Sequence, residues 1–348
     1  MKILIIGNMG YVGPMVVREL AKRHPDAVLH GYDNAYFAHC LTGAECLPER
    51  HLKQQFIGDI RTLPEAMLEG YTAVVQLAAI SNDPMGSRFA SVTSEVNQDA
   101  TVRIARAASK AGVKNLVFAS SCSIYGVALG SARSEADPVA PITAYAKSKI
   151  GAEEGLADIS GDMVITSLRF ATACGMSDRL RLDLVLNDFV ACALSQGCIT
   201  VLSDGSPWRP LIDVADMARA IDWAVQRTAL NGGRVVSVNA GSDTRNHQVR
   251  DIAAAVADAV PGTTLSINTE APVDSRSYQV DFGLFNRLAP DHQPRVTLKQ
   301  SIASVIAGLQ RMNFSDPQFR TSSLVRLHVL QGHIEGGRLC EDLKWQVN

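Results

Sequence analysis

The 348-residue sequence lacks a charge bias, with 33 Lys+Arg against 35 Asp+Glu and a formal net charge of −2. That balance gives no reason to expect nucleic acid or a membrane surface as a partner. Long apolar runs are missing too. Met1 to Ile6 is apolar, but Gly7 ends the run far short of a signal peptide or span. No other stretch approaches about 20 uninterrupted apolar residues. The seven cysteines are scattered, odd in number and never spaced Cys-x-x-Cys. They predict neither a disulfide frame nor a metal site, and point to reduced thiols in the cytoplasm. Internal repeats and low-complexity segments are also absent. What remains, 47% hydrophobic and 20% charged, suffices for one large α/β domain and a smaller one.

The stretches present arrive in a telling order. Lys2 to Ile6 reads as a strand buried on both faces. The turn Gly7-Asn8-Met9-Gly10-Tyr11-Val12-Gly13 follows, and then Val16, Val17, Leu20 and Ala21 repeat at helical spacing. Strand, glycine turn and helix in that sequence let backbone approach a pyrophosphate at the helix N-terminus. A second strand, Ala27 to Tyr32, ends in Asp33, an acid suited to the ribose hydroxyls of NAD and repellent to the extra phosphate of NADP. Asn34 beside it leaves some tolerance. Further strands are expected at Phe56–Ile60, Ala73–Ala79, Lys114–Ala119 and Val164–Phe170, with Asp59 and Ile60 bordering an adenine. Asn97 opens a helix that runs through Ala111. Repeated βα units of this length imply a doubly wound parallel sheet.

The chemistry gathers in two segments, Ser120-Ser121-Cys122-Ser123-Ile124-Tyr125 and Thr143-Ala144-Tyr145-Ala146-Lys147-Ser148-Lys149. Tyr145 and Lys149 are four apart, one turn above each other on a helix. A phenol of pKa ~10 must fall about three units to act as a base at neutral pH. A neighbouring ammonium pushes it that way. Ser121, at a strand end, can share a substrate hydroxyl with Tyr145.

These residues together resemble the extended short-chain dehydrogenase/reductases, in particular the NAD-dependent epimerase/dehydratase group acting on nucleotide-linked sugars. Gly7-x-x-Gly10-x-x-Gly13, Asp33, Gly58-Asp59, Leu77-Ala78-Ala79, Asn97, Ser121 and Tyr145-x-x-x-Lys149 fall in family order, and the match runs to about Asn313. The resemblance implies a Rossmann-type sheet at 1–170, to which 211–240 returns, and a smaller substrate lobe from 171–210 and 241–348. It implies that NAD lies along Gly7, Met9, Gly10, Tyr11, Val12 and Gly13. Beyond that turn the cofactor meets Asp33, Asn34, Asp59, Ile60, Leu77, Ala78, Ala79 and Asn97. Ser120, Tyr145, Lys149 and Phe170 complete its contacts. For a nucleotide-diphosphate sugar it implies Ser81, Ser121, Cys122, Ser123 and Thr172. Asn187, Arg209 and Arg276 would hold the diphosphate. A homodimer through the helices after Asn97 and Tyr145 is likewise implied.

Departures from the family pattern select among reactions. Sugar 4,6-dehydratases carry an acidic pair after the catalytic Ser/Thr, where this chain has Cys122 and Ser123. The cysteine of C3/C5 epimerases is replaced by Ser123. An Asn of the family's substrate loop is Thr172. Cys122 is expected to line the pocket. The reading that needs no acid or base beyond Tyr145 is a 4-epimerase, with Ser121 and Lys149 assisting. The alternatives are a 4-ketoreductase and an atypical dehydratase with Cys122 as the acid. A nucleotide-sensing regulator without turnover is disfavoured by the Tyr145/Lys149 pair. The tail from Asn313 onward carries no readable chemistry.

Overall fold

Four consecutive side chains, Ile3 to Ile6, are fully shielded from solvent. Their alternation explains how. Ile3 and Ile5 enter one apolar cluster with Val16, Val17 and Leu20, while Leu4 and Ile6 enter another with Ile104, Ala108 and Leu156. Helices on both faces of a parallel sheet leave no solvated side, so the strand is apolar throughout. Each such side chain contributes roughly 1.5–3 kcal/mol on burial.

The computed structural model describes residues 1–346 apart from 43, 128–129, 269 and 271–276. Arg276, expected at a phosphate, therefore lies outside the described residues. The strands in chain order are β1 (Lys2–Ile6), β2 (Val28–Asp33), β3 (Gln54–Ile57), β4 (Ala73–Gln76), β5 (Asn115–Ser121) and β6 (Val164–Phe170). They continue with β7 (Thr172–Cys174), β8 (Cys198–Val201), β9 (Trp208–Asp213), β10 (Val235–Ala240), β11 (Asn246–Gln248) and β12 (Thr264–Ile267). The described residues form a seven-stranded parallel sheet in the order β10-β6-β5-β4-β1-β2-β3. A mixed sheet, β11-β9-β7, and the pair β12-β8 lie beside it. Strand order reverses between β1 and β4, which opens a crevice beyond their carboxyl ends.

Several expectations shift in detail. The third strand spans Gln54–Ile57, because Asp59 caps a tight turn at Ile60–Thr62 by accepting from Arg61 N at 2.8 Å. Asn97 does not open its helix. Helical chain begins at Ala90, and Asn97 lies in a π turn, Glu95–Asp99, before the helix Ala100–Lys110. Ala171–Arg181, which reads as loop, contains β7. Trp208-Arg209-Pro210, which reads as turn, opens β9. The weak strands β8, β11 and β12 leave no clear periodic mark in three or four residues.

The tail is ordered by distant partners. The helix Arg326–Glu335 and the buried Leu339 and Leu343 bring it back to the end of β2. There Trp345 Nε1 donates to Asn34 O at 2.7 Å and the Tyr36 hydroxyl donates to Leu343 O. Arg61 Nη1 donates to Asp342 O at 2.8 Å. Among the described residues, no helix is long and apolar enough to cross a membrane, and no His/Cys/Asp/Glu group could hold a metal ion.

Candidate active site

One cavity of ≈ 1150 Å³ runs across the crevice from Tyr36 and Phe37 to Tyr145 and Arg209. It exceeds the roughly 300–1,000 Å³ typical for a single small ligand, and leaves room for two. Its N-terminal half is made of backbone. Gly7 has φ +89°, and a Cβ there would lie 2.4 Å from Ala78 N. Glycine alone allows that approach of two strand ends. The helix Gly13–Arg23 that follows has no side-chain cap and no acid in its first turn, so no side chain of its own competes with an anion at its positive end. A phosphate-bearing dinucleotide fits this cradle.

Asp33 lines the same half. Its Oδ2 accepts from Met9 N at 2.9 Å and its Oδ1 from Ala35 N at 2.8 Å. Burial pushes its carboxyl up, and those two backbone donors oppose the shift. Gly10, Tyr11, Val12, Asn34, Ile60, Leu77, Ala78 and Ala79 share this wall. Met9, Gly13, Asp59 and Asn97 are not on it. Met9 offers its backbone to Asp33. Gly13 is held by packing, since a Cβ there would meet Asn8 O at 2.0 Å. Asp59 is taken up by Arg61 at 2.6 Å. Asn97, fully buried, accepts from Ile80 N at 2.8 Å and donates to Ile80 O and Ser148 Oγ. It fixes the loop after β4 from behind.

The reacting end is built by β5 and the helix Ala144–Ala157. Thr143 caps that helix, its Oγ1 accepting from Ala146 N at 3.1 Å. Such a cap contributes about 1 kcal/mol, and it starts the helix one residue before Tyr145. Ser121 ends β5 and accepts from Ser123 N at 3.2 Å. That leaves its hydroxyl proton free to turn toward Tyr145, which shares the cavity wall and whose phenol Ser121 lowers. Ser120, Ser123, Phe170 and Thr172 complete this wall. Ser123 Oγ is buried without a partner, a polar group shaped for a ligand.

The electrostatics differ from expectation. Burial pushes the Tyr145 phenol up to about 12, Ser121 and Arg181 opposing and Asp83 adding. Lys149 does not offset this. Its ammonium donates to Ala119 O at 2.7 Å and lies 5.5 Å from the Tyr145 ring centroid. Burial lowers it to about 7, with Glu153 opposing. Taken alone, the protein's groups hold Tyr145 as a neutral phenol.

Two substrate assignments move. Cys122 is fully buried, donates to Arg169 O at 3.0 Å and is not on the cavity wall. Burial raises its thiol well above the usual range. It faces the core because it opens the turn Cys122–Tyr125 with its side chain behind β5. Asn187 is equally enclosed. Its Oδ1 accepts from Gly175 N at 3.1 Å, and its Nδ2 donates to Tyr11 Oη and Arg181 O at 3.1 and 2.9 Å. Its neighbour Asp188, and Asp183 just ahead of the helix, line the cavity instead.

Asp183 belongs to a group that the motifs did not flag. Arg181 donates to it at 2.9 Å through both Nε and Nη2 and to Ser81 Oγ at 2.8 Å through Nη1. Asn82 Nδ2 donates to Asp183 at 2.8 Å. Asp83, Asp188, Tyr278, Arg320 and Arg326 also reach the wall beside Arg209. An Arg-x-Asp directly ahead of a helix, at 181–183, is the one local signal available.

The deciding match covers residues 3–241, by the model of the NAD dependent epimerase/dehydratase family. The chain belongs to that family. It is an NAD-dependent enzyme of the nucleotide-sugar epimerase/dehydratase kind. A UDP-glucose 4-epimerase from Lactobacillus helveticus is 30% identical over 180 residues, 51% of this chain and 53% of that enzyme. This chain thus spans about half the length of that relative. A UDP-glucose epimerase of Bacillus subtilis, itself uncharacterized, is 26% identical over 326 residues, 90% of this chain and 99% of that one. In fold, the chain is similar to MoeE5 in complex with UDP-glucuronic acid and NAD. The TM-score is 0.75 at 24% identity, covering 89% of this chain and 99% of that one.

Proposed function

We propose that this enzyme is a nucleotide-sugar 4-epimerase. One observation carries the reading: Ser121 and Tyr145 share the cavity wall, while Cys122 is buried off it and Ser123 offers only a hydroxyl. The backbone of Gly7 to Val12 would hold the cofactor phosphates, Asp33 the adenosine ribose and Lys149 the nicotinamide ribose. NAD, when bound, supplies a hydride acceptor for C4 and, oxidised, a positive charge that favours the Tyr145 phenolate. Tyr145 then takes the proton of the C4 hydroxyl, with Ser121 sharing that oxygen, and returns it after the sugar has turned over. Thr172, Ser81 and Ser123 face the sugar. Arg209 meets the diphosphate. The relatives named UDP-glucose epimerases support this assignment.

A second reading, dehydration, has one observation in its favour. The Asp83 carboxylate lines the cavity and is close enough to Tyr145 to raise its phenol, so it is placed to remove a proton elsewhere on the sugar. Incubating the protein with UDP-glucose, without NADH, separates the readings by chromatography. The epimerase yields the C4 isomer. Loss of water identifies the dehydratase, and no product without NADH, but product from a 4-keto sugar with it, identifies a reductase.

We further propose a homodimer in the cytoplasm. The helices Ala100–Lys110 and Ala144–Ala157 pack side by side and would present a joint face to a second copy. All seven cysteines are free, which suits a reducing compartment. Light scattering that finds only monomer refutes the pairing.

A further inference from the structure

Arg326 opens the last helix, beyond residue 241 where the family match ends. It is 1% exposed yet contributes to the wall of the large cavity. Its guanidinium lies 4.9 Å from the Phe37 ring centroid. It donates to Ser323 O at 3.2 Å and Arg179 O at 2.7 Å, both backbone carbonyls. Asp183, whose charge reaches it, is already held by Arg181. Among the described residues, no carboxylate forms an ion pair with Arg326. A buried cation without a counter-ion is costly unless an anion meets it.

Its position says which anion. Arg326 meets Phe37, four residues past Asp33, and its acceptor Arg179 lies two residues from Ser177, whose hydroxyl donates to Tyr11 O in the glycine turn at 2.6 Å. It therefore stands on the same cavity wall as the glycine turn, on the side of Asp33. The glycine turn Gly7–Gly13 offers backbone N–H groups there but no cationic side chain. The tail that carries Arg326 is moored to the same rim through Trp345, Leu343 and Asp342.

We propose that Arg326 is the cationic half of the pyrophosphate site for NAD, which makes the C-terminal strap a working part of the dinucleotide pocket. The proposal rests on NAD binding as read above. It is tested by calorimetric titration of the full chain with NAD, ADP and adenosine. Arg326→Gln is expected to weaken NAD and ADP by ~10- to 100-fold, the loss of one charge-assisted contact, and to leave adenosine unchanged. Arg326→Lys keeps the charge and retains most of the affinity. If the Gln variant does not fold, the Lys variant decides. Its NAD affinity falls as pH rises through the lysine range while that of the unaltered protein does not, and parallel profiles overturn the proposal. An unchanged NAD titration for Arg326→Gln overturns it too, as does an equal loss for adenosine, which marks a structural role. In those cases the unaltered protein still binds NAD and the functional reading stands. Failure of the unaltered protein to bind NAD refutes both.

Discussion

The two halves of the cavity are made of different materials. The cofactor half is mainly backbone: Gly7 against Ala78, a helix N-terminus, and strand ends with small side chains, with Asp33 and Arg326 as its charged groups. The substrate half is charged side chains, with Arg181, Asp183, Asp188, Arg209 and Arg320 converging beside Tyr278. A surface of backbone amides binds any dinucleotide of the right shape and tolerates little change. Charged side chains in a pocket can be exchanged, and each exchange alters which sugar is accepted. One scaffold thus holds one cofactor and admits many substrates.

The largest expected effect sharpens this division at the joint between the halves. Tyr145→Phe should lower turnover by about 10³-fold, within the range for a lost general acid/base, while NAD affinity measured by calorimetry stays intact. Next, the substrate half should fail as a charge pair. Arg181→Met leaves Asp183 buried without its partner, and about 3 kcal/mol of stability should be lost, read from urea unfolding. Arg181→Met with Asp183→Leu should recover much of that loss. In the cofactor half, Gly7→Ala forces a Cβ into the Ala78 backbone at positive φ. NAD affinity should drop at least about 10-fold with the fold retained by circular dichroism.

A smaller effect appears in the pH dependence. Folded Lys149 titrates near 7 against 10.5 for its ordinary value. Between those values the unfolded chain carries a proton that the folded protein does not, so stability rises with pH across that window. Lys149→Met should flatten the rise in melting temperature. A profile unchanged by the substitution would show that another group causes it. The smallest effect is expected at Cys122→Ala. With the thiol behind β5, turnover should change by less than about 2-fold, whereas an acid role for Cys122 demands a loss of roughly 10²-fold or more.

The same contrast explains what the sequence disclosed. The seven-stranded sheet, the glycine turn, Asp33 and the Tyr145/Lys149 pair all announce themselves locally, because apolar runs, glycines and helical spacing are short-range signals. Asn187 misled because its neighbour Asp188 takes the cavity wall, and helical phase near a helix start cannot be read to a single residue. Cys122 misled through its neighbour: Ser121 faces the site, and in an extended chain the next side chain points to the opposite face. Lys149 occupies its expected place, but its charge depends on burial, which no spacing encodes. The tail was unreadable because its partners, Asn34, Tyr36 and Arg61, are some three hundred residues away and two of the contacts are to backbone carbonyls of Asp342 and Leu343.

The central claim is that hydride leaves C4 of the sugar and returns to the same carbon. It is tested most directly with UDP-glucose deuterated at C4, incubated with the enzyme without NADH and followed by proton NMR. The account predicts a C4-inverted product that keeps the deuterium at C4. Deuterium found at C6 of a dehydrated product, or no product until NADH is added, contradicts it.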